Sequence, residues 1–149
     1  EMDYLYTKLN RNGIRVYKWD GSTKIIDRNQ IIKNASIDDK DDSNYIDCIL
    51  VQIDAGGTGL NLQMFNTVWF STLTWNPTIE MQAIARVHRI GQTQSVTVRK
   101  VILNHTMDTK IISVQNSKLI VISQILKDRH ILPKIHNRFT TQDIINVLS

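Results

Sequence analysis

The sequence predicts an α/β fold, a mostly parallel sheet with helices on both faces. Three observations predict it. Strand-like and helix-like runs alternate from Ile14 to Leu126, the pattern of a sheet covered by helices. Ile46 to Ile53 is a nearly continuous β-branched run, which suits a strand buried on both faces of a parallel sheet. That run and the one at Thr67 to Ser71 each lead into a distinctive turn, Ala55-Gly56-Gly57-Thr58-Gly59 and Trp75-Asn76-Pro77. Both turns therefore sit outside the carboxyl ends of strands, where open α/β sheets bind ligands.

Each element has its own local reason. Residues 2 to 12 read as a short helix, with Leu5 and Leu9 four apart and Gly13 as its stop. Ile14 to Tyr17 reads as a strand. Trp19-Asp20-Gly21-Ser22 turns the chain, and Ser22 or Thr23 is expected to cap a second helix reaching about Asn34, with Ile25, Ile26, Ile32 and Gln30 straddling its buried side. Asp38 to Asn44 is polar and acidic, a solvated loop before the β-branched strand. Thr67 to Ser71 is a second buried strand. Pro77 fits the first turn of the helix that follows, where its missing N–H does no harm. Val96 to Leu103 is a third strand, after which Thr106 caps a long helix carrying Ile111, Val114, Gln115 and Lys118. Residues 128 to 138 read as irregular, and Thr140 to Leu148 as a short docked helix.

The 149 residues suffice for one domain with a real core, and 42% hydrophobic with 21% charged residues places them among globular chains. The formal charge of +4 is compatible with a nucleic-acid surface without showing one. The single cysteine, Cys48, excludes a disulfide within the chain and suits an intracellular protein. It lies in an apolar run with no base and orienting residue beside it, so it reads as a core thiol. No apolar run is long enough to span a membrane and no signal peptide is visible. The chain opens on Glu1 inside a helix-like stretch, as a piece of a longer protein would.

The richest stretch is Gln82-Ala83-Ile84-Ala85-Arg86-Val87-His88-Arg89-Ile90-Gly91-Gln92. Read as one helix, it places Gln82, Arg86 and Arg89 within about 60° of one another, with Ile84 and Val87 on the opposite, apolar side. Glu80 favours the helix N-terminus, and Gly91 is placed as a C-cap. Two guanidiniums and an amide on one face suit an anion. The three glycines of the Ala55 turn would likewise expose backbone N–H groups as an anion nest.

Taken together, these strings resemble a known family. The helix resembles motif VI of superfamily-two helicase-like ATPases, and "HRIGQ" at His88 to Gln92 is similar to the Swi/Snf-related double-stranded DNA translocases. "AGG-x-GLNL" at Ala55 to Leu62 resembles motif V. "WNP" at Trp75 to Pro77, the Asp20-Gly21-Ser22 turn with Arg28, and Thr106, Asp108, Ile111, Gln115 and Lys118 resemble further family segments, with Asp108 where glutamate is usual. The resemblance implies the C-terminal RecA-like lobe, residues 1–127, followed by an extension at 128–149.

It also implies roles. Arg86 and Arg89 would be arginine fingers for the transferring phosphoryl group, and Gln82, Gly59 and Asn61 would line the nucleotide site. Gly57, Thr58, Trp75 and Asn76 would meet the DNA backbone, which carries no sequence information. No phosphate-gripping Gly-x-x-x-x-Gly-Lys loop and no Asp-Glu pair occur in the chain. ATP and Mg²⁺ would therefore be held mainly by the N-terminal RecA-like lobe of the same protein, and the isolated fragment is expected to be inactive. The implied partners are that lobe, double-stranded DNA, and nucleosomes or other DNA-bound proteins, in a nucleus or, for a bacterial or viral source, in cytoplasm or a viral replication site. Gln52, Ile53 and Asp54 depart from the family, which carries serine or threonine and then a basic residue there. The alternatives are a non-catalytic DNA- or protein-binding lobe and a strand-separating helicase lobe, the latter disfavoured by "HRIGQ" and "WNP".

Overall fold

The structure, a computed structural model, describes residues 1–54 and 60–125. The glycine turn with Gly57, Thr58 and Gly59, and the expected extension at 128–149 with its Thr140 to Leu148 helix, lie outside the described residues. The chain divides into two compact units, Glu1–Asn66 with Ala85–Gln94, and Thr67–Ile84 with Ser95–Ser149.

In the first unit, helix α1 (Met2–Arg11) is followed by Gly13 at φ +77°, as the sequence requires of a helix stop. Strand β1 (Val16–Trp19) starts two residues later than expected. The backbone before it is used otherwise: the N–H of Ile14 bonds the Leu9 carbonyl at 3.1 Å, and the N–H of Arg15 bonds the Asp47 carboxylate at 2.9 Å. Strand β2 (Cys48–Val51) pairs with β1 in parallel, Val16 opposite Cys48 and Trp19 opposite Val51. Trp19 thus belongs to the strand rather than the turn, and it anchors a core with Ile31, Ala35, Ile46 and Leu60.

Helix α2 (Ile25–Ala35) corrects two expectations. Neither Ser22 nor Thr23 caps it. The Asp20 carboxylate takes the Ser22 N–H at 2.8 Å and its hydroxyl at 2.6 Å, while the Thr23 hydroxyl accepts from the Asp20 N–H at 3.0 Å. These local side-chain bonds make a turn that competes with the cap. Ile25 and Ile26 are 77% and 76% exposed, not buried, and Gln30 is exposed as well. The buried face is set by Ile31, Asn34 and Ala35, and at 100° per residue Ile25 and Ile26 fall more than about 100° away from it. The acidic loop is exposed at most positions, yet its backbone is pinned: Arg15 donates to the carbonyls of Asp42 at 2.7 Å and Lys40 at 2.6 Å.

In the second unit, strand β3 (Thr67–Phe70) pairs in parallel with β4 (Thr97–Lys100), Phe70 opposite Lys100. Both strands are shorter than expected, and Trp69 is exposed, with the Arg99 guanidinium over its ring at 4.9 Å. Helix α4 (Met107–Ile125) is capped by Thr106 as expected, its hydroxyl accepting from the Asp108 N–H at 3.2 Å. The α/β class with parallel strands is as the sequence predicts. Helix α3 (Pro77–Val87) belongs to the second unit up to Ile84 and to the first from Ala85.

Candidate nucleotide and nucleic-acid site

Helix α3 ends at Val87, so Arg89 does not stand on its face as the heptad-like spacing predicts. The reason lies in the last carbonyls. The Arg86 carbonyl is taken by the N–H of Leu62 at 3.0 Å and the Val87 carbonyl by the N–H of Arg89 at 3.1 Å. Those are the acceptors that the N–H groups of Ile90 and Gly91 would need to extend the helix. The chain instead turns from Arg89 to Gln92, whose N–H bonds the Arg89 carbonyl at 3.0 Å. Gly91 has φ +102°, and a Cβ there would lie 3.1 Å from the Gln63 side-chain oxygen. Glycine is required at this turn rather than at a helix C-cap.

Arg86 is half-buried and Arg89 exposed. Asn61 is half-buried, and its side-chain oxygen accepts from the Gln63 N–H at 3.3 Å. A residue that spacing gave no role fastens this segment. The Gln92 amide donates to the carbonyls of Phe65 at 2.8 Å, Gln63 at 3.0 Å and Val87 at 3.4 Å. The segment leaving the glycine turn and the segment carrying Arg86 and Arg89 are therefore one hydrogen-bonded piece within the first unit. Gln82, exposed on α3, lies in the second unit.

The second unit presents the Thr74-Trp75-Asn76 loop. Trp75 is 49% exposed, which excludes the commoner fate of a core aromatic. The Asn76 side-chain oxygen caps α3, accepting from the Thr78 N–H at 3.1 Å. Glu80, expected to serve the helix dipole, is instead buried, as is Gln115, each 2% exposed. One Glu80 oxygen accepts from the Thr74 N–H at 3.1 Å and from the Gln115 amide at 2.7 Å. The other pairs with the Lys100 ammonium at 2.5 Å. Lys100 also donates to the Gln115 oxygen at 3.1 Å, Gln115 donates to the Thr74 carbonyl, and Lys118 donates to the Trp75 carbonyl at 2.9 Å. Sequence reading missed the roles of Glu80, Lys100, Gln115 and Lys118. The available signal was the Gln-x-x-Lys spacing on the last helix, which marks two polar residues one turn apart.

Parallel α/β units, a segment from Leu62 to Phe65 bonded to an arginine-bearing one, and an exposed Trp75-Asn76 pair ahead of α3 are features of a helicase-type RecA-like lobe. The helicase conserved C-terminal domain family matches residues 1–91. The chain is 30% identical over 146 residues to Helicase SWR1 of Yarrowia lipolytica, covering 98% of this chain and 8% of that protein. It is 33% identical over 130 residues to DNA repair protein RAD5A of Arabidopsis thaliana, covering 87% of this chain and 12% of that protein. A crystal structure of the C-terminal part of the Fun30 ATPase domain is similar at a TM-score of 0.67 and 30% identity, over 76% of this chain and 35% of that one. The chain belongs to the helicase conserved C-terminal domain family, in its Swi/Snf-related superfamily-two branch. It spans about a tenth of the length of these curated relatives.

Proposed function

We propose that the chain is the second motor lobe of an ATP-dependent double-stranded DNA translocase of the chromatin-remodelling or DNA-repair type. Arg86 and Arg89 act as arginine fingers on ATP, Gln82, Gly59 and Asn61 line the nucleotide, and Gly57, Thr58, Trp75 and Asn76 meet the DNA backbone. Residues 1–127 make the lobe and 128–149 an extension. The guanidiniums and amides suit a polyphosphate rather than a divalent ion, so Mg²⁺ is held with ATP by the N-terminal lobe, and the fragment alone does not turn over ATP. One observation carries the reading. The Leu62 to Arg86 backbone bond and the Gln92 clamp join the end of the glycine-rich motif to the arginine segment. A finger must be held by something stiff to stabilise charge without reorganising.

The test is Arg89→Ala in the complete parent protein. ATP turnover at saturating duplex DNA should fall by about 10³–10⁵, with DNA affinity nearly unchanged. Arg89→Lys should restore little, since an ammonium cannot reproduce the two-pronged contact to phosphate oxygens. Arg89 is exposed and outside the helix, so the thermal melt should hold. Turnover within a few-fold of the unmodified protein refutes the finger and favours a lobe kept only for binding.

A further inference from the structure

Three consecutive carbonyls in the exposed loop of the second unit are all occupied. Thr74 O accepts from the Gln115 amide, Trp75 O from Lys118, and Asn76 O from the Thr74 hydroxyl at 2.9 Å and the Ile79 N–H at 3.2 Å. The Thr74 N–H is taken by Glu80. With its peptide planes fixed in this way, the loop keeps the Trp75 ring half in solvent instead of letting it fold inward. Holding it there has required burying a carboxylate and an amide against a half-buried ammonium. Replacing such an ionic cluster by apolar residues of similar volume is often neutral or stabilising, so stability alone is a weak reason for it.

We propose that Glu80, Lys100 and Gln115 are positioning residues for the duplex DNA backbone, setting the Thr74-Trp75-Asn76 loop in its binding conformation. This rests on the reading above that Trp75 and Asn76 meet DNA. None of the three touches DNA; they act through the loop's backbone.

The experiment compares Gln115→Met, Lys100→Arg and Trp75→Ala in the complete parent protein, with a duplex of mixed sequence as probe. Gln115→Met keeps the volume and removes the amide. It should raise the duplex Kd, and the DNA concentration for half-maximal ATP turnover, by about tenfold, the scale of losing the bonds that order a loop. Turnover at saturating duplex should stay within about twofold. The slope of log Kd against log salt should not change, because no charge is removed. Lys100→Arg keeps the ion pair and should stay within about twofold throughout. If Gln115→Met fails to fold, Thr74→Val, which removes only the loop hydroxyl, should show the same separation, with Thr74→Ser restoring it. Trp75→Ala weakening DNA binding while Gln115→Met or Thr74→Val leaves it unchanged overturns the positioning role alone. Trp75→Ala without effect overturns the loop's DNA role and the proposal with it.

Discussion

Replacing Gln92 by alanine removes a side chain whose amide holds the carbonyls of Phe65 at 2.8 Å and Gln63 at 3.0 Å, with Val87 at a weaker 3.4 Å. Its oxygen accepts from the Gln94 N–H at 2.9 Å at an exposed position. Two well-formed bonds at a net value near 1 kcal/mol each, with small additions from the longer and the exposed one, give a loss of about 2–3 kcal/mol. For a chain of this size each kcal/mol moves the midpoint by about 2–4 °C, so Tm should fall by about 4–12 °C. Gln92→Glu sharpens the test. It has the same shape, but a carboxylate would face carbonyl oxygens and could donate to none. Gln92→Glu should therefore melt below Gln92→Ala at neutral pH. Its folded-state pKa would be raised, so its stability should recover as the pH falls and the acid regains a donor. The assay is thermal unfolding followed by circular dichroism across pH. A Gln92→Ala loss under about 0.5 kcal/mol, or a Gln92→Glu variant as stable as the unmodified chain at neutral pH, refutes the clamp.

Glu80→Ala takes the partner at 2.5 Å from a half-buried Lys100 ammonium; it should cost about 2–4 kcal/mol in urea unfolding, and a loss below about 1 kcal/mol would refute the ion pair. Ile31→Ala should cost about 2–4 kcal/mol, whereas Ile26→Ala, at a position 76% exposed, should stay within about 0.5 kcal/mol; equal losses would refute the placement of the buried face. The Ser22 hydroxyl, with the Ser22 N–H, holds the Asp20 carboxyl below the usual carboxylate range. A depressed carboxylate stabilises the fold above its unfolded value and loses that contribution as pH falls through the folded one. Ser22→Ala should therefore bring the Asp20 titration, read by NMR, back toward the ordinary value, and no movement refutes the turn.

Fold class was legible because it rests on pattern. The β-branched run at Ile46 to Ile53 and the alternation that follows have few other outcomes, and Thr106 could be read as a cap because Asp108 and Leu103 complete its local bonds. Element ends were not legible. β1 begins late because Asp47, distant in sequence, captures the Arg15 N–H, and α3 ends early because Leu62 captures the Arg86 carbonyl. No local propensity encodes either event. The candidate site residues came from motif strings, and spacing misplaced Arg89, since helical periodicity carries past a helix end it cannot see. The Ile25-Ile26 pair misled in the opposite sense: two adjacent isoleucines look like core, but helical rotation puts both off the face that Ile31 and Ala35 define.

The same physical device recurs in both units, and it accounts for what pattern reading discarded. In the first unit a glutamine at the end of "HRIGQ" reaches back to carbonyls 27 and 29 residues earlier. In the second, Gln115 and Lys118 reach back 41 and 43 residues to the carbonyls of Thr74 and Trp75. A segment without helix or ladder partners must satisfy its backbone groups some other way, through water or through side chains. Long amides and ammoniums do so while leaving the segment irregular, which exposes groups that a regular element would turn inward. Hydropathy assigns such residues to the solvent face because they are polar, although Gln115 stands four residues after the buried Ile111 on α4. Burial of Gln115 at 2% exposure shows the opposite. A polar residue on a helix four to eight positions from apolar ones, beside a loop with neither strand nor helix pattern, is therefore a reason to ask which loop carbonyl it serves.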